Sequence, residues 1–159
     1  MACRARLLRI RRRRAPPGLG RLIELADTSA WTSHGKREAT RVDFDGRLRA
    51  GLIATCPLVR LELLRTSRDH ADLVTTRHKL DALRDIPMGD RVWRRAIDVL
   101  EQFAEAGPLH HRRVPLPHLL IAAAAELAEL PVLHYDRDFE LIAEVTGQPV
   151  RALAPLGSL

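Results

Sequence analysis

The chain has 159 residues, 46% of them hydrophobic and 29% charged, a size and composition that suit one folded domain and exclude a disordered polypeptide. No apolar run is long enough to cross a bilayer, so no transmembrane helix is expected. The net charge of +6 is unevenly placed: eight of the 26 Lys and Arg residues lie between Met1 and Arg21 with no acid among them, which leaves the rest of the chain slightly acidic. Bulk attraction of the whole domain for nucleic acid is thereby excluded. Two cysteines, Cys3 and Cys56, make no disulfide framework, and no His/Cys group has zinc spacing. A reducing cytoplasm is the expected compartment.

The segment 1–21 starts like a signal peptide but lacks the apolar stretch that should follow. Pro16, Pro17, Gly18 and Gly20 break any helix before the body begins. It reads as a flexible arm or as upstream sequence from a misplaced start; a phosphate-binding arm is the less favoured alternative. A single domain is expected over 22–155.

In chain order, Leu22 to Ala26 is a short apolar run ending at Asp27-Thr28-Ser29, a buried strand handing over to a helix cap. A looser helical stretch covers Arg41 to Ala50, and Leu52 to Ala54 is the next strand. Pro57 opens a helix to about Thr66, with Leu58, Leu61 and Leu64 on one face. A further helix runs from Asp69 to Leu83. Asp90 starts the clearest helix, with Trp93, Ala96, Ile97, Leu100, Phe103 and Ala104 at helical spacing through to Gly107. Pro108 to Pro117 reads as a loop. The helix Leu116 to Glu129 is apolar nearly all round and should be buried centrally. Pro131 to Tyr135 is a strand ending at Asp136; a helix from Phe139 to Val145 and a strand from Val150 to Leu153 follow. Strands alternating with helices predict an α/β fold with a mainly parallel sheet.

In such sheets ligands bind beyond the carboxyl ends of the strands. Two strands end in acid, at Asp27 and at Asp136 with Asp138, and Glu62 interrupts an apolar helix face. Buried carboxylates repel one another unless a cation neutralises them, and oxygen-rich acidic sites suit Mg²⁺ or Mn²⁺. Taken singly, each acid is equally a cap, a turn former or an exposed helix residue.

The stretches LADTSAW around Asp27, LVRLELLR around Glu62, and VPLPHLLIAAAAELAELPVLHYDRDFELIA from Val114 to Ala143, in that order, make the chain resemble the PIN-domain ribonucleases, especially the VapC-like toxins of toxin–antitoxin pairs. The resemblance covers about Leu22 to Leu153. It implies a three-layer α/β/α domain around a mainly parallel sheet that cuts RNA with Mg²⁺ or Mn²⁺. It also implies a cognate antitoxin and a homodimer; the apolar helix surface between Arg41 and Leu64 is a candidate contact. The acids carried over are Asp27, Glu62, Asp136 and Asp138. Where the family usually has an acid, this chain has His118, in the first turn of a helix. An anion is favoured there by the helix dipole, and neutral imidazole suits Mn²⁺ or Zn²⁺ better than Mg²⁺.

The leading reading is a metal-dependent endoribonuclease in which Asp27, Glu62, Asp136 and His118 hold the cation and Asp138 is an outer ligand. Thr28 or Ser29 would bond the first carboxylate or a phosphate oxygen, and Arg112 and Arg113 would contact phosphate. The alternative is a weakened or inactive PIN-like module that binds antitoxin or RNA. A phosphotransferase with an aspartyl nucleophile is disfavoured, because Ser29 stands where a second acid is wanted. His110, His111 and His134 have no role assigned.

Overall fold

The first strand is built on three residues that are all buried, because a parallel strand covered on both faces has no solvent side to alternate with. The computed structural model describes residues 22–159, so the basic segment 1–21 lies outside the described residues. Strand β1 (Glu24–Ala26) lies at the centre of a five-stranded sheet with β2 (Ile53–Thr55), β3 (Arg84–Asp85), β4 (Val132–His134) and β5 (Val150–Ala152). The order is β3-β2-β1-β4-β5, and every pairing is parallel. Seven α-helices connect the strands: α1 (Thr28–Ser33), α2 (Glu38–Arg49), α3 (Pro57–Arg65), α4 (His70–Asp81), α5 (Asp90–Ala106), α6 (Leu116–Leu127) and α7 (Arg137–Thr146).

Register fixes which side chains reach which layer. Leu25 stands opposite both Ala54 and Val132, and these join one apolar cluster with Val99 and Phe103 of α5, Ile121 of α6 and Phe139 of α7. Their neighbours Ala26, Ile53 and Leu133 point the other way, onto Ala30 of α1 and Phe44 of α2. The α/β architecture with a parallel sheet is as the strand–helix alternation predicts. Helix α6 is buried from Leu119 through Ala125, as its composition requires.

Several details differ from the sequence reading. On α3 the buried residue is Val59, and Leu61 is 66% exposed, because the helix packs one edge inward and rotates Leu61 to the outside. On α5 the inward seam is Val92, Ala96, Val99 and Phe103, while Trp93 and Ile97, one residue on from the seam, are turned to solvent. Strand β3 is a two-residue exposed edge strand that no apolar run announces. A one-turn 3-10 segment, His110–Arg112, lies inside the predicted loop.

Glu24 is fully buried on β1, and two arginines neutralise it. Arg151 on β5 grips both its carboxylate oxygens, at 2.7 and 2.9 Å, and Arg47 Nε on α2 lies 2.9 Å from Oε2. Arg47 also donates to the Leu22 carbonyl at 2.8 Å, and Arg151 reaches Asp43 at 3.2 Å. This network ties the central strand to an edge strand and to α2 at the end of β1 remote from Asp27.

Candidate active site

The chain leaves β1 for β2 on one side of the sheet, and β4 hands on to β5 on the other. The carboxyl ends of β1 and β4 are therefore neighbours at the switch point, where a crevice opens in doubly wound sheets. Asp27 follows β1 and Asp136 follows β4 by two residues.

Asp27 is 1% exposed and caps α1. Its Oδ2 accepts from the Ser29 backbone N–H at 2.8 Å and from the Ser29 hydroxyl at 2.5 Å. The same hydroxyl oxygen accepts the Tyr135 N–H at 2.9 Å, so Ser29 stitches the ends of β1 and β4 together. With Oδ2 held there, Oδ1 is buried and has no hydrogen-bond partner. An unpartnered buried carboxylate oxygen is costly without a cation or donor opposite it. Thr28, the next residue, donates its hydroxyl to Glu62 Oε2 at 2.5 Å, which draws α3 toward the same end of the sheet.

Asp136 caps α7 by accepting the Asp138 N–H on Oδ1 at 3.0 Å. Asp138 Oδ2 lies 2.9 Å from His118 Nδ1, which joins the start of α7 to the first turn of α6. Ligand-capable atoms of His118, Asp136 and Asp138 all lie within 4.8 Å of one another, close enough to hold one ion. Both proline residues that open α6, Pro115 and Pro117, lack an N–H, and the helix carries no acid in its first turn. The donor set, the Asp136 and Asp138 carboxylates and the His118 imidazole, with a bare Asp27 oxygen at the neighbouring strand end, fits a divalent cation.

His134, to which the sequence reading gives no role, supports this site from beneath. It is fully buried on β4, and its Nδ1 accepts the Asp136 N–H at 3.2 Å. The neutral ring therefore carries its proton on Nε2, which lies 3.4 Å from Glu140 Oε1. Burial lowers its pKa; the neighbouring Glu140, Asp27 and Asp136 act in the opposite sense. The His118 and His134 rings both pack on Phe139, with centroids 5.0 and 5.4 Å from it. A strand position two before an acid, filled by a side chain with an acceptor, is the one signal that could have found His134.

Of the remaining candidates, Ser29 spends its donor and an acceptor within the site. Arg112 and Arg113 lie exposed on the 3-10 segment and at its end, and neither forms an ion pair among the described residues.

A family model for the PIN domain matches residues 25–145. Ribonuclease VapC18 of Mycobacterium tuberculosis is 38% identical over 138 residues, spanning 87% of this chain and all of that protein. Ribonuclease VapC21 of the same species is 38% identical over 84% of this chain and 95% of its own length. The chain belongs to the PIN-domain family and, within it, to the group of VapC ribonucleases. Among solved structures it is similar to the DNA-bound VapBC from Salmonella typhimurium, with TM-score 0.64, 18% identity and coverage of 84% of this chain and 99% of that one. That likeness bears on the fold, which is the three-layer fold the sequence resemblance implies.

Proposed function

We propose that this protein is a divalent-metal-dependent endoribonuclease, the toxin of a toxin–antitoxin pair acting in the cytoplasm. The carrying observation is the buried, unpartnered Asp27 Oδ1 at the same sheet end as Asp136, Asp138 and His118. The 38% identity to two proteins named as VapC ribonucleases points the same way.

Asp27, Glu62, Asp136 and His118 would hold Mg²⁺ or Mn²⁺, with Asp138 behind them. Such a cation, when bound, neutralises phosphate charge and lowers the pKa of a water for in-line attack. The chain's own part is positional. Ser29 holds Asp27 with one oxygen turned to the crevice, Thr28 holds Glu62, and the Asp136 cap holds the start of α7. Arg112 and Arg113 would steer the backbone phosphates, and Ser29, already engaged, would at most add a weak phosphate contact.

A VapBC assembly is what the Salmonella structure contains by its name. For this chain we place a cognate antitoxin in the apolar cavity of about 550 Å³ walled by Trp31, Leu48, Leu63, Leu80 and Leu83. The exposed face of α5 suits a homodimer. Trp93 and Ile97 are 55% and 57% exposed one turn apart, and an antiparallel twofold pairing of α5 would set Arg94 of one copy opposite Glu101 of the other, both exposed.

The substrate test is a matched pair of single-stranded oligonucleotides, one RNA and one DNA, incubated with the protein and Mn²⁺. Cleavage of the RNA alone supports the proposal; equal cleavage of both strands contradicts the assignment to RNA. One observation favours a second reading, a weakened module kept for binding: His118 removes a negative charge from the cation site. Activity gained only on His118→Asp would select it.

A further inference from the structure

We propose that His118 binds the cation directly through Nε2, that Asp138 is the residue that aims it, and that the site consequently selects Mn²⁺ over Mg²⁺. The inference rests on the nuclease reading and deepens it.

The local geometry assigns the two ring nitrogens different tasks. An ionised carboxylate only accepts hydrogen bonds, so the 2.9 Å contact to Asp138 Oδ2 places the imidazole proton on Nδ1. With Nδ1 so engaged, Nε2 is the nitrogen that can offer a lone pair to a cation. A metal-binding histidine commonly shows this arrangement, donating its second nitrogen to a carboxylate that fixes tautomer and ring angle. Ring rotation is restricted further by the packing on Phe139, itself buried. The Asp138 side is fixed as well, because its backbone N–H is bound to Asp136 Oδ1 at 3.0 Å. Thus α6 contributes a nitrogen donor, and α7 supplies the group that orients it.

An independent feature says that something positive belongs here. Asp27 Oδ1, at the carboxyl end of the strand next to β4, is buried and without a partner. Ser29 holds the other oxygen and simultaneously binds the Tyr135 N–H, one residue before Asp136, so the bare oxygen belongs to the same crevice.

The chemical consequence follows from donor type. Mg²⁺ is hard, favours oxygen ligands in a near-ideal octahedron and gives up its waters reluctantly. Imidazole nitrogen suits transition ions, whereas carboxylate and water suit Mg²⁺ and Mn²⁺ alike. Replacing one carboxylate by imidazole leaves Mn²⁺ a full donor set and withholds from Mg²⁺ both an oxygen and a negative charge. Loss of that charge weakens every cation; the nitrogen restores part of the loss only to the ions that accept it.

The test uses the full chain and the metal ions alone. Electron spin-echo envelope modulation on the Mn²⁺-loaded protein reads coordinated ¹⁴N directly. Titration calorimetry gives the Mn²⁺ and Mg²⁺ affinities. We expect imidazole ¹⁴N modulation in the wild type, its loss in His118→Asp, and a shift of that variant's preference toward Mg²⁺. Asp138→Asn should keep the nitrogen signal but weaken Mn²⁺ binding by about 10–100-fold, the usual cost of a lost orienting partner. Circular dichroism checks the fold of each variant, and His118→Gln replaces His118→Asp should the latter misfold. Mn²⁺ bound with no ¹⁴N modulation, or an unchanged Mn²⁺-to-Mg²⁺ ratio in folded His118→Asp, overturns this inference and leaves the nuclease reading standing. No binding of either ion to the wild type at millimolar concentration overturns both.

Discussion

At the scale of single residues, Ser29 is the hinge of the site, although its side chain touches no reacting group. Its hydroxyl both donates to Asp27 and accepts from Tyr135 N–H. Ser29→Ala removes both bonds and leaves the part-buried Tyr135 N–H without its partner, which costs about 1 kcal/mol or more. Thermal unfolding should show the loss, and RNA cleavage should fall with it. Cys56 is the opposite case, a thiol with no chemical role. It is fully buried, and burial pushes its pKa up to about 11. The thiolate needed for alkylation is therefore scarce at pH 8, and folded protein should resist iodoacetamide at Cys56 until denaturant is added. Rapid alkylation of the native chain at that residue would contradict the burial.

Much of the site is legible in sequence at this scale because acids at strand ends are local patterns. Asp27 and Asp136 follow β1 and β4, Asp138 lies in the first turn of α7, and the Ser29 hydroxyl donates to Asp27. Glu24 was not legible. Read in the run LIELA it is one polar residue in a strand, and of the two arginines that neutralise it one, Arg151, stands 127 positions away on β5. Only the folded sheet brings the two together. The ion network also carries the largest predicted stability effect: Glu24→Ala leaves two arginines facing a buried void and should destabilise by about 3–5 kcal/mol. Equilibrium unfolding in urea measures it, and a change within experimental error would mean that water reaches that end of the sheet.

At the scale of elements, periodicity reveals a helix more readily than it reveals which way the helix faces. Helix α6 shows no ambiguity, since it is apolar on every side and belongs in the middle. Helix α5 carries apolar residues over about half its circumference, more than the buried seam uses. Its spacing therefore places Trp93 and Ile97 with the core, whereas the seam actually runs through Val92, Ala96, Val99 and Phe103. Edge strand β3 has only two exposed residues, Arg84 and Asp85, and its pairing with β2 is a backbone matter that no side-chain pattern records. The outward stripe of α5 has a use if two chains pair there. Reversing one charge by Arg94→Glu should shift the protein toward monomer in sedimentation velocity, and adding Glu101→Arg should restore the dimer. A wild type that is monomeric throughout would remove this interface. At the far end of α7, Gly147 takes a left-handed turn with φ 75°, which an alanine adopts at a cost of about 1 kcal/mol.

At the scale of the whole molecule, the sheet order turns a linear sequence into a site. Asp27 and Asp136 are far apart in the chain, and parallel pairing of β1 with β4 makes their strand ends adjacent. Glu62 and His118 arrive from α3 and α6, which pack against each other in the same apolar layer. Asp27 and Asp136 lie where a strand hands over to a helix, while Glu62 sits within α3 and His118 in the first turn of α6, so strand ends and helices together hold the donors. Under the proposed function, this crevice cuts RNA through a cation held by Asp27 and its neighbours. The most direct measurement is cleavage of total bacterial RNA by the full chain with Mn²⁺, with Mg²⁺ and with EDTA, beside folded Asp27→Asn. Metal-dependent cutting that EDTA stops and Asp27→Asn abolishes is the predicted result; cutting that survives EDTA, or full activity in the variant, would contradict the account.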